Sequence, residues 1–175
     1  KSKGFRLGIS AKEYLKMYSG YRLQSVGDDI REDIYTGTTC LPSLISEYIS
    51  SGPFDKMPIM DKLYRNGVVA GFFCFSLEES DQENALFEYE FEVMNIRNQL
   101  IEYILNELDK IGKTGNIAFL EGATGKICGY LDFLIFGNFM DIMSAAYDFF
   151  EEKNIKLAGY KTFRKISKLV TFREE

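Results

Sequence analysis

Apolar side chains recur at Leu100, Ile101, Ile104, Leu105, Leu108 and Ile111, a three-and-four spacing that predicts a helix over 96–111, closed by Gly112. A second helix is predicted over 140–153, where Asn154 can take the left-handed conformation that ends helices. Residues 85–93 follow another period. There Ala85, Phe87, Tyr89, Phe91 and Val93 alternate with Leu86, Glu88, Glu90 and Glu92, which predicts a strand with one packed face and one face of carboxylates. Before it, 59–64 and 68–77 form a hairpin about Asn66-Gly67, so the three segments make an antiparallel meander. Nearer the start, a strand over 5–9 leads to a helix over 11–18, capped by Ser10 with Glu13 as its capping-box partner. Residues 20–39 read as irregular, with a helical turn at 28–35, and Pro42 opens a helix running to Ser50. A strand at 116–120 enters a turn through Gly122 and Gly125. The apolar stretch 127–139 stays open between strand, loop and helix, and the final strands fall at 155–160 and 169–172.

No repeat, linker or low-complexity tract interrupts this order, and 175 residues suit a single domain spanning 1–175. Apolar residues at 46% and charged residues at 27% are those of a globular chain. The apolar runs fall short of the roughly 18 to 20 residues that cross a bilayer, and nothing resembles a signal peptide. The expectation is a cytoplasmic protein with no membrane role, although the missing initiator Met leaves open a removed leader. The absence of His removes Ser/His and Cys/His nucleophile pairs and His-ligated zinc, and no metal site is expected. Cys40, Cys74 and Cys128 are too widely spaced for a CxxC knuckle and are odd in number, so they read as buried thiols.

A net charge of −5 gives nucleic-acid binding no support, but the charges are sorted along the chain. Between Glu78 and Glu92 stand seven acids and no base; between Lys153 and Arg173 stand Lys153, Lys156, Lys161, Arg164, Lys165, Lys168 and Arg173 with no acid. Solvated faces explain both runs. The functional alternative is an acidic groove for a cationic substrate and a basic patch for an anionic one.

The order of elements, together with the AYDFFEEKNI segment at 146–155 and the strand–loop–helix position of 93–105, resembles the GNAT superfamily of N-acyltransferases. The resemblance implies an α+β fold: a mixed, mostly antiparallel sheet of six or seven strands with helices on both faces. It also implies a splay between the strand ending at Val93 and the one starting near Asn116. In such a fold Val93, Asn95, Arg97, Asn98 and Gln99 would bind acetyl-CoA, the last three through free N–H groups at a helix start. One of Glu88, Glu90 and Glu92 would deprotonate the amine of a small molecule or peptide, and Tyr147 would protonate the leaving thiolate. Leu100 and Glu102 occupy the small-residue places of the family's cofactor loop, and Phe150 aligns with its general-acid Tyr. Two functions follow: an acyl-CoA-dependent N-acyltransferase, or a catalytically inactive domain of that shape serving as an interaction or ligand-sensing module. An unrelated α+β domain with a structural meander is the third possibility.

Overall fold

A computed structural model describes residues 19–23, 29–77 and 85–173. The strand expected at 5–9, the helix at 11–18 and the acidic turn after residue 77 lie outside the described residues. The strands are β1 (Ser19–Arg22), β2 (Ile34–Thr39), β3 (Val69–Phe75), β4 (Ile117–Gly125), β5 (Gly129–Ile135), β6 (Ala158–Thr162) and β7 (Val170–Arg173). They form one sheet in the order β1-β2-β4-β5-β3-β6-β7, and every pairing is antiparallel. The helices are α1 (Pro42–Ser50), α2 (Pro58–Arg65), α3 (Ala85–Asp109) and α4 (Phe139–Glu152). The fold is therefore α+β, with a seven-stranded sheet and helices on both faces, as expected.

Side-chain alternation along β3 and β5 builds two cores. Phe73, Phe75, Leu131, Phe133 and Ile135 pack under Val93, Leu100 and Ile104 of α3 and Ile142, Phe149 and Phe150 of α4. On the opposite face Phe72, Cys74, Tyr130 and Leu134 meet Leu44, Ile45 and Tyr48 of α1, Met60 of α2 and Phe163. A strand covered on both faces carries no polar side to mark its period. For that reason the apolar stretch 127–139 is ambiguous as sequence, and β5 emerges inside it.

Several expected elements take another form. Residues 59–64 belong to α2, which starts at Pro58 and turns Met60 inward. Asn66-Gly67 ends that helix instead of reversing a hairpin: Gly67 has φ 72°, its N–H reaches the Tyr64 carbonyl, and the Val68 N–H reaches Leu63. Residues 85–93 are the first turns of the 25-residue α3. Val93, Arg97, Leu100, Ile104 and Leu108 form a buried stripe at helical spacing, and the alternation upstream only mimics a strand, since Phe91 is exposed. Residues 20–39, expected to be irregular, contain β2 and all but the first residue of β1. The expected splay has no counterpart, because no strand ends at Val93 and β4 pairs with β2 on one side and β5 on the other.

Candidate functional site

Asp132 stands in the middle of β5, fully buried and opposite Phe72 of β3. Its partner is Arg31, whose backbone adopts φ 69° in the turn before β2 and whose guanidinium grips both carboxylate oxygens. The guanidinium carbon lies 4.7 Å from the Phe72 ring centre, 5.2 Å from that of Tyr130 and 5.0 Å from that of Phe163. Burial works against this charge, but Asp132, with Tyr21 and Tyr130, more than offsets it and holds Arg31 above its ordinary range. Beside the pair, the Tyr130 hydroxyl donates to Asp33 Oδ1 at 2.5 Å and accepts the Arg31 N–H at 2.8 Å. Asp33 Oδ2 accepts the N–H groups of Ile127 and Cys128. Gly125 makes room for this carboxylate, because a Cβ at that position would collide with Asp33 Oδ2.

The turn that carries Arg31 is also one wall of a cleft of about 500 Å³. Asp29, Ile30 and Glu32 line it together with Lys165, Ser167 and Lys168 of the segment joining β6 to β7, Tyr48 of α1 and Lys161 of β6. Lys161 pairs with Phe72 in the sheet register and so emerges on the α1 face. It is only 8% exposed. Its Nζ donates to the Arg164 carbonyl at 2.8 Å and the Tyr48 hydroxyl at 3.4 Å. Among the described residues it forms no ion pair with a carboxylate. Burial pushes its amine down to about 8, helped by Lys165 and Arg31 and opposed by Asp29. Lys165 places its own Nζ 4.3 Å from the centre of the Tyr48 ring, which also has Lys161 Nζ at 5.2 Å. The loop is braced by Arg164 on Asp61 of α2, at 2.5 Å, and by the Ser167 N–H and Oγ on the Arg164 carbonyl.

The residues expected to form an acyl-transfer site are dispersed. On α3 the expected single face of Glu88, Glu90 and Glu92 breaks up: Glu88 and Glu92, four apart, share one side and are exposed, whereas Glu90 points the other way. Val93 is core. Asn95 and Asn98 are exposed and Gln99 is half-buried. Arg97, Asn98 and Gln99 occupy the interior of α3, where backbone N–H groups bond to preceding carbonyls, and not a helix start. Tyr147 lies on α4 edge-on to Phe172 and lines neither the lysine cleft nor the one described next, while Phe150 is buried against Phe75. Only Glu90 and Arg97 come together, in a second cleft of about 220 Å³ between α3 and the β2–β4 ladder, with Thr36, Thr38 and Glu121. Burial lowers the Arg97 guanidinium, opposed by Glu121.

Sequence reasoning marks the basic run as a patch for anions but cannot select Lys161, because burial depends on register against β3. It misses Arg31, Asp33, Tyr48 and Asp132; the one available signal is a lone acid, Asp132, inside an apolar run. Cys40, Cys74 and Cys128 are buried thiols, and burial pushes Cys74 and Cys128 up to about 12. Among the described residues no group of three or more His, Cys, Asp and Glu is placed to hold a metal, and no helix is long and apolar enough to cross a membrane. The chain matches no family model, no curated protein and no solved structure.

Proposed function

We propose that this chain is a ligand-binding α+β module that senses a small anionic compound in the cleft of Lys161, Lys165 and Lys168. The observation that carries the reading is Lys161: a buried amine whose bonds among the described residues go to neutral oxygens, beside two further lysines. A buried cation without a counter-ion is costly, and a bound anion removes that cost. Calorimetric titration with inorganic pyrophosphate tests it. Heat of binding that disappears in a Lys165→Met/Lys168→Met double variant is the expected result, and no heat at millimolar pyrophosphate overturns the reading.

Acyl transfer from acetyl-CoA to an amine is the second reading, favoured by the meeting of Glu90 and Arg97 in the smaller cleft. Against it stand the helical setting of Glu88, Glu90 and Glu92 and the separation of Tyr147 from that cleft. Turnover of acetyl-CoA with a panel of amines, lowered about 10²-fold in Glu90→Gln, would establish it. Binding of acetyl-CoA without turnover would leave the module as the better description.

A further inference from the structure

We propose that Lys161 is a covalent attachment point, its amine condensing with the aldehyde or ketone carbonyl of an anionic ligand to form an imine. The proposal rests on the reading of the cleft as an anion site and adds a chemistry to it. An ammonium has three N–H donors and a neutral amine has two. Lys161 Nζ finds two acceptors, the Arg164 carbonyl and the Tyr48 hydroxyl. Among the described residues no third oxygen acceptor is in place, so a neutral amine keeps both its N–H groups bonded there.

Burial and the neighbouring cations favour the same form, and they outweigh Asp29 and the Tyr48 ring, which favour the ammonium. Lys165 shares the Tyr48 ring with Lys161, and the caged Arg31 adds a second positive charge nearby. From the turn at 29–32, Asp29 and Glu32 face the cleft, but Asp29 Oδ1 accepts the Ile30 N–H and neither acid pairs with Lys161. Asp61 of α2 is taken by Arg164. Lys168 completes the cationic side. An amine pushed down to about 8 is a nucleophile near neutral pH. About a tenth of it is neutral there, against under about a thousandth for an ordinary lysine.

The Nζ lone pair adds to the carbonyl carbon, and the carbonyl oxygen takes a proton as the C–N bond forms. The carbinolamine then loses that oxygen as water, with the second proton coming from nitrogen, and leaves a C=N bond. Amine plus carbonyl gives imine plus water, with no change of oxidation state. Tyr48 Oη, 3.4 Å from Nζ, is placed to pass the proton, and Lys165 and Lys168 hold the anionic end of the ligand.

The test treats the whole chain with sodium cyanoborohydride and one of three carbonyl probes: glyoxylate as a carboxylate, pyridoxal 5′-phosphate as a phosphate, or neutral propanal. Adducts are mapped by peptide mass. The expected result is a single early adduct on Lys161 with at least one anionic probe, formed about tenfold or more faster than on any exposed lysine. Propanal should lag, and pyrophosphate should compete with the anionic probes. In Lys165→Met the labelling rate should rise at a more alkaline pH than in the parent. Lys161→Arg and Lys161→Met, checked for native circular dichroism, should lose the early adduct. Label spread over Lys153, Lys156 and other exposed lysines, with Lys161 no faster, overturns the proposal. If pyrophosphate still binds in that case, the anion site stands without its covalent chemistry. If Lys161 reacts fast with all three probes and pyrophosphate does not bind, the reactive amine stands and the anion reading falls.

Discussion

Asp132 and Arg31 neutralise each other in a place where neither is tolerated alone. Removing one partner of a buried pair costs about 3 to 5 kcal/mol, mostly from the stranded charge. Asp132→Leu should lower unfolding stability by about that amount in urea titration, and the Arg31→Met/Asp132→Leu double variant should regain most of it. Lys161 gives the opposite sign, because among the described residues no carboxylate pairs with it. Its folded value of about 8 lies below the ordinary 10.5, so between those values the unfolded chain holds more protons and stability rises with pH. Below about 8 the penalty is present in full. Lys161→Met should raise the melting temperature at neutral pH and flatten the rise in stability between 8 and 10.5. A variant that keeps the full rise would assign it to other groups.

At the level of elements, two glycines do different work. Gly67 ends α2 at φ 72°, and a Cβ added there would have nothing within 4 Å, so only backbone strain opposes a side chain. Gly125 sits where a Cβ would strike the Asp33 carboxylate. Gly67→Ala should cost about 1 to 2 kcal/mol, and Gly125→Ala clearly more, as read from denaturant midpoints; equal losses would refute the distinction. The same elements show what is legible beforehand. The stripe through Leu100, Ile104 and Leu108, the capping Asn154 with φ 54° and the Phe-rich β3 are all visible in the order of residues. Asn66-Gly67 is visible too but ambiguous, since a hairpin and a helix end both ask for a left-handed residue. Residues 85–93 mislead because the alternation of Phe87, Tyr89 and Phe91 has the period of a strand, while packing of Val93 and the stripe beyond it selects a helix.

Across the whole molecule, an acidic chain of net charge −5 carries a lysine-lined cleft. Long-range repulsion of an anion by the remaining surface is screened by salt together with attraction by the lysines. Because the lysines are nearest, pyrophosphate should bind more weakly as salt rises, and at about a hundred times its dissociation constant it should stabilise the chain by about 2.7 kcal/mol. A thermal shift that grows with salt would exclude lysine-led binding. Which lysines form the cleft is not legible in the run 153–173, since that depends on partners brought together by the sheet. The buried polar centre is assembled over greater distances still: Arg31 and Asp33 bond to groups 94 to 101 residues later. On a ribosome adding roughly 5 to 20 residues each second, both side chains emerge about 5 to 20 seconds before Asp132 and Tyr130 exist to meet them. For most of that interval β2 has β1 beside it but not β4, and Arg31 lacks its counter-charge, so the Arg31 and Asp33 side chains stay hydrated until β5 arrives.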